Sequence, residues 1–154
     1  MTKILFICLG NICRSPMAEF IMKDLVKKAG LEHEFVIDSR ATSTEETGNP
    51  IHRGTMGIFK KYQIPCTGHR AQQMSRQDYE TYDYLIGMDQ SNIRNMTRIA
   101  GGDPEKKIYK LMEFTGSGRD VADPWYTGDF EATYRDVSEG CQALLEKLKG
   151  NLAR

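Results

Sequence analysis

The chain predicts an α/β fold: a single three-layer domain over residues 1–154, with a doubly wound parallel sheet and helices on both faces. Three observations point there. Strand-like and helix-like stretches alternate from end to end. The first apolar run, Ile4-Leu5-Phe6-Ile7, is continuous rather than alternating, as in a strand covered on both sides. A length of 154 residues suits one domain with a core that needs no staples.

Taken in order, the first strand is Lys3 to Cys8. A helix from Ser15 to Ala29 follows, with Ala18, Ile21, Met22, Leu25 and Ala29 on one face, Pro16 in its first turn and Gly30 just past its end. Phe35-Val36-Ile37 forms the second strand, ending at Asp38-Ser39. Residues 40–53 are polar and run through Gly48-Asn49-Pro50, a loop signal. Gly54 to Tyr62 is a weaker helix, with Met56, Phe59 and Lys60 at helical spacing. A connection over 64–73 and a short helical turn from Ser75 to Thr81 lead to the third strand, Tyr84 to Met88. Gln90 to Ile99 is helical and stops near Gly101-Gly102. Lys107 to Phe114 is the fourth strand, and Gly116 to Gly128 a loop. In the last helix Phe130, Tyr134, Val137, Cys141, Leu144 and Leu148 recur at spacings of three and four. Cys8, Ser39 and Asp89 all fall at strand ends, the edge where open α/β sheets bind ligands.

Chemistry concentrates in Cys8-Leu9-Gly10-Asn11-Ile12-Cys13-Arg14-Ser15, between the first strand and the first helix. Gly10 and Asn11 are the residue types that most readily adopt unusual backbone angles. Such a loop turns its N–H groups inward and makes an anion site, which the helix N-terminus reinforces. Arg14 supplies a planar fork for two phosphate oxygens. The same positive surroundings favour the thiolate of Cys8, the nucleophilic form. The alternative is a structural thiol beside a helix-start arginine. A Cys-x5-Arg spacing is weak by itself, and the strand–loop–helix context is what strengthens it.

Composition sets the limits. Lys plus Arg equals Asp plus Glu at 21, so the net charge is zero, which argues against nucleic-acid or anionic-membrane binding driven by global charge. No run approaches membrane-spanning length, and Met1-Thr2-Lys3 leads into the first strand without the features of a secretory signal. The expectation is a cytoplasmic protein, monomeric, with four reduced thiols. Cys8, Cys13, Cys66 and Cys141 lack the paired spacings of a zinc site, so neither metal nor cofactor is expected. Cys66 and Cys141 read as structural.

Cys8 to Ser15 resembles the signature of the low-molecular-weight protein tyrosine phosphatases, and Asp123-Pro124-Trp125-Tyr126 resembles that family's general-acid loop. Asp38-Ser39 with Ala41-Thr42-Ser43, Gly48-Asn49-Pro50 and Met88-Asp89-Gln90-Ser91-Asn92 are similar to further family stretches, in family order and over nearly the whole chain. The resemblance implies a four-stranded sheet of order 2-1-3-4. It also implies hydrolysis of phosphotyrosine and small aryl phosphates through a phosphocysteine on Cys8. Leu9 to Ser15 would then bind phosphate, and Asp123 would act as general acid and base. Read without the family, Asp123 is a loop aspartate before proline, a common turn pair.

The resemblance also gives Ser15 a hydrogen bond toward the Cys8 sulfur; on its residues alone Ser15 reads as a helix cap. Asn11 would hold the loop shape, with Ser39 and His69 as supports, although His69 alone is an ordinary polar loop residue. Asp89 either fixes the loop or Arg14, or simply caps the following helix. Trp125 and Tyr126 would contact the substrate ring, or anchor a packed loop. Cys13 is either a small buried thiol or, as the resemblance implies, the partner in a disulfide that protects Cys8. Glu45 and Glu46 stand where family members often carry an aromatic residue, which predicts a weaker preference for acidic phosphopeptides.

Two rivals remain at this level. A thioredoxin-coupled arsenate reductase shares the first motif but needs further cysteines, and Tyr82 to Asp89 supplies none. A non-catalytic phosphotyrosine-binding module has no use for Cys8, Arg14 and Asp123 together. A nucleotide P-loop is excluded by the missing Gly-Lys-Ser/Thr ending.

Overall fold

The computed structural model describes residues 1–152. Its strands are β1 (Thr2–Cys8), β2 (Phe35–Ala41), β3 (Tyr84–Gly87) and β4 (Ile108–Lys110), all parallel, in the order β2-β1-β3-β4. The helices are α1 (Arg14–Lys28), α2 (Arg53–Lys61), α3 (Arg76–Thr81), α4 (Gln90–Ala100), α5 (Pro124–Thr127) and α6 (Phe130–Leu152). The predicted α/β class and strand order both hold.

β1 explains the architecture. Its residues alternate between faces, as a period of two requires. Ile4, Phe6 and Cys8 pack with α1, α2 and α6, and Leu5 and Ile7 pack with α3 and α4. Both sides are apolar because both are covered, and Ile4 to Ile7 are fully buried. The chain leaves β1 toward β2 on one side and returns to β3 on the other. The carboxyl end of β1 is therefore the switch point where such sheets hold ligands. Cys8 is the last residue of β1.

Several boundaries differ from the expectation. β2 runs to Ala41 rather than ending at Asp38-Ser39, because it stays in register with β1 as far as Cys8 opposite Ala41. Ser39 thus lies within the strand, opposite Phe6. The fourth strand is three residues long, and Leu111–Thr115 forms a 3-10 turn in place of its second half. That turn drives Leu111 into α6, where a Cβ on Gly140 would meet Leu111 Cγ at 2.5 Å. The buried face of α2 is Thr55, Ile58 and Phe59, and Met56 is exposed. Ser75 and Asp89 close capping boxes at α3 and α4. Gly101, at φ +79°, ends α4.

Candidate active site

The loop from Cys8 to Ser15 is shaped by its carbonyl groups. Leu9 O accepts from Ser43 N at 3.1 Å, Ile12 O from His52 N at 2.9 Å and Cys13 O from Met17 N at 3.2 Å. Asn11 O meets His69 Nε2 at 2.9 Å. All four point outward into the framework. A planar trans peptide directs the next N–H the opposite way, so those of Gly10, Ile12, Cys13 and Arg14 face the cup. Asn11 makes the turn at φ +59°, a left-handed conformation that asparagine tolerates better than most residues.

Cys8 lies on the floor of that cup, buried. Its Sγ is 3.3 Å from Asn11 N, 3.4 Å from Ser15 N and 3.0 Å from Ser15 Oγ. Two N–H groups aimed at sulfur stabilise a thiolate. Ser15 does not cap α1. Cys13 occupies the cap position without a side-chain cap bond, and Ser15 sits inside the first turn with its hydroxyl on Cys8. The hydroxyl faces the sulfur because the helix starts one residue earlier than expected.

Asn11 is the hub beneath the loop and is fully buried. Its Nδ2 donates to Ser15 Oγ at 2.8 Å and Ser39 Oγ at 3.0 Å, and its Oδ1 accepts from Gln72 N at 3.1 Å. Every polar atom of its amide carries a bond, as burial demands. Ser39 Oγ in turn donates to Glu19 Oε1 at 2.6 Å. Glu19 also takes Lys23 Nζ at 2.6 Å and lies 3.8 Å from His69 Nδ1. Sequence reasoning missed Glu19, which looks like a solvent-facing helix residue yet is buried. The signal was its place directly beside the apolar face of the first helix. Gln72 carried no signal, because it acts through its backbone.

Arg14 is the first residue of α1 and is buried. Its Nη2 sits 2.9 Å from Asp89 Oδ2 and 3.3 Å from Asp123 Oδ2, while Nη1 donates to Val121 O at 3.2 Å. Burial works against its charge. Cys8, Asp123 and Asp89 outweigh that and hold its pKa above the ordinary arginine value. Asp89 also caps α4, accepting from Asn92 N at 2.7 Å. Asp123 likewise caps the short α5 through Trp125 N at 3.0 Å while its other oxygen faces Arg14.

One cleft of about 240 Å³ joins these groups. Cys8, Cys13 and Arg14 form its floor, with Asp123, Trp125 and Tyr126 on one wall and Ser43, Glu45 and Glu46 on another. Trp125 and Tyr126 are exposed at its mouth. Glu46 packs over Gly10, where a Cβ would lie 3.2 Å from Glu46 Cγ, and its carboxylate holds Asn49 Nδ2 at 2.6 Å. Glu45 is exposed. Cys13 is buried and free, as are Cys8 and Cys141, and Cys66 is half-buried and free. Burial, then Cys8 and Asp123, push the Cys13 thiol up to about 12.

Comparison with known proteins agrees with this geometry. The family model for low molecular weight phosphotyrosine protein phosphatase matches residues 3–154. The low molecular weight protein-tyrosine-phosphatase YfkJ of Bacillus subtilis is 41% identical over 151 residues, covering 97% of each chain. PtpA of Staphylococcus aureus is 40% identical over 149 residues, 95% of this chain and 93% of its own. The crystal structure of the low molecular weight protein tyrosine phosphatase SP-PTP from Streptococcus pyogenes aligns with a TM-score of 0.87 at 48% identity, over 96% of this chain and 93% of that one. The YfkJ crystal structure gives 0.94 at 40%, over 98% and 96%. A buried cysteine under an arginine that two aspartates share, in a fold matched over almost its whole length, places this chain in the low molecular weight protein tyrosine phosphatase family.

Proposed function

We propose that this phosphatase hydrolyses phosphotyrosine and small aryl phosphates in two displacements, with Cys8 as nucleophile. The observation that carries the reading is the single cleft in which Asp123 faces Arg14 above the Cys8 sulfur. The Cys8 thiolate attacks phosphorus in line and the bond to the phenolic oxygen breaks. A phosphocysteine forms, and the leaving oxygen takes its proton from Asp123. Arg14 and the inward N–H groups meet the charge on the equatorial oxygens. Asp123, now a carboxylate, takes a proton from water as that water attacks phosphorus. The sulfur leaves as a thiolate that accepts from Ser15 Oγ and two backbone N–H groups. Asn11, with Ser39 and His69, holds the loop open against collapse, and Asp89 aims the guanidinium.

Trp125 and Tyr126 flank the substrate ring on one wall. Glu45 and Glu46 line the opposite wall, which disfavours acidic residues beside the phosphotyrosine. The substrates are phosphotyrosine-containing proteins with neutral or basic flanks. The enzyme acts as a cytoplasmic monomer, a setting in which its thiols stay reduced. Under peroxide, Cys13 joins Cys8 in a disulfide that reductant reverses. After peroxide and then reductant, Cys13→Ser recovers less activity than the parent; equal recovery rejects that protection.

The deciding experiment is turnover of p-nitrophenyl phosphate in the presence of chelator. The parent protein hydrolyses it, and Cys8→Ser falls on the order of 10⁵-fold while still binding phosphate. Activity retained in Cys8→Ser would remove the nucleophile assignment. Binding without turnover by the parent would make the protein a phosphotyrosine reader.

A further inference from the structure

The segment that carries Asp123 is anchored differently at its two ends. Its upstream end is tied to the frame by polar bonds: Val121 N to Met88 O at 2.9 Å, Ala122 N to Asp136 Oδ2 at 3.0 Å, and Arg14 to Val121 O. Downstream of Asp123 lie α5 and then Phe130, and here one imidazole gathers the contacts. The His52 ring stacks on Phe130 with centroids 5.3 Å apart and planes 18° apart. It meets Trp125 edge-on at 6.3 Å and 78°.

The same residue is tied to the phosphate cup. His52 N donates to Ile12 O at 2.9 Å. Its Nδ1 accepts from Gly54 N at 3.0 Å and so caps α2. Gly54 leaves the space that Phe130 fills: a Cβ there would lie 2.3 to 2.5 Å from three Phe130 ring atoms. His52 therefore touches the outer side of the phosphate loop through its backbone and the acid-bearing wall through its ring. Aromatic pairs of this kind contribute modestly beyond their area, and here they hold the exposed residues 125–129.

We propose that His52 is a positioning residue for Asp123, a clamp that sets the distance between the acid-bearing segment and the phosphate cup. This rests on the reading of Asp123 as the proton donor. His52 acts through Trp125 and Phe130 and touches neither the nucleophile nor Arg14. Misplacing a proton donor slows expulsion of a poor leaving group far more than of a good one, because only the poor one needs the proton. A residue that merely supports the fold would slow both alike.

The test compares kcat/KM for phenyl phosphate and p-nitrophenyl phosphate in the full-length protein. His52→Asn keeps a residue suited to capping α2 but removes the ring. It loses about 10-fold on phenyl phosphate and less than about 3-fold on p-nitrophenyl phosphate. Phe130→Leu, which leaves the cap intact, reproduces the same selective loss and serves if His52→Asn does not fold. Equal losses on both substrates, or none, overturn the clamp. Asp123→Asn is run alongside. A selective loss there with a uniform one in the clamp variants rejects only the clamp. A uniform loss in Asp123→Asn rejects the proton-donor assignment beneath it.

Discussion

The phosphate cup and the acid-bearing segment meet as floor and wall of one cleft and are built on opposite plans. In the cup Asn11 and Ser15 are 0% exposed, and the buried Asn11 amide is bonded at every polar atom. Across the cleft Trp125 is 66% and Tyr126 82% exposed. The cup is determined by hydrogen bonds of fixed direction, which hold N–H groups to tenths of an ångström. The acid-bearing wall is tied by polar bonds only upstream of Asp123; downstream it leans on ring contacts, which are less directional. Binding a phosphoryl group demands the first, because its charge and shape never vary. Accepting different protein surfaces around the phosphorylated ring calls for the second.

Breaking each side in turn sharpens that contrast. After removal of the Cys8 nucleophile itself, the largest effect is on the acid side. Asp123→Asn lowers kcat/KM for phenyl phosphate by about 10²- to 10³-fold, with thermal stability little changed. A loss below about 10-fold would show that the wall contributes no proton. On the cup side Asn11→Ala lowers both activity and stability. It leaves Ser39, Ser15 and Gln72 N short of a partner and places alanine at φ +59°, which costs about 2–4 kcal/mol in urea unfolding. If activity falls with no loss of stability, the cup is not the more rigid of the two.

A smaller effect follows from the buried thiols. Cys13 is held up near 12, and burial raises Cys141 further. On unfolding, each thiol releases its proton at an ordinary pH that the folded chain resists. Stability is therefore complete below the ordinary thiol range and declines as pH rises through it, by about 1.4 kcal/mol per pH unit for each thiol. Cys141→Ala flattens that decline in urea midpoints, and an unchanged slope would contradict the burial argument. The smallest effect is at the rim. Glu45→Gln raises turnover of acidic phosphopeptides relative to neutral ones by about 3-fold, because an exposed charge acts weakly through water. No change in that ratio would remove Glu45 from substrate choice.

What could be read before the structure divides along the same line. Cys8, Gly10, Asn11 and Arg14 are legible because their chemistry is local: eight residues, from the last of a strand to the first turn of a helix, carry both the proposed nucleophile and the proposed anion site. The sheet is legible because Ile4 to Ile7 are apolar on both faces. On its own residues Asp123 reads as a turn residue, and only the resemblance of Asp123-Pro124-Trp125-Tyr126 marks it as an acid, because Arg14 lies 109 positions away in the chain but 3.3 Å away in space. Glu19 and His52 escape for the same reason, since the partners that give them a role, Ser39 and His69 for one and Trp125 and Phe130 for the other, lie far off in the chain. The 3-10 turn at Leu111–Thr115 escapes for another. Leu111, Met112 and Phe114 extend an apolar run that looks like strand, and only the space at Gly140 shows where Leu111 goes.

The sharing of Arg14 between Asp89 and Asp123 has a consequence for the life of the product. In the resting protein that guanidinium already has a carboxylate guest, so inorganic phosphate has to evict an occupant rather than enter a vacant seat. Such self-occupancy weakens retention of the product without weakening the cup's shape, and it favours rapid clearing between turnovers. Asp123→Asn, which leaves Asp89 as the one carboxylate beside that guanidinium, therefore raises the potency of phosphate as a competitive inhibitor; an unaltered inhibition constant would speak against it.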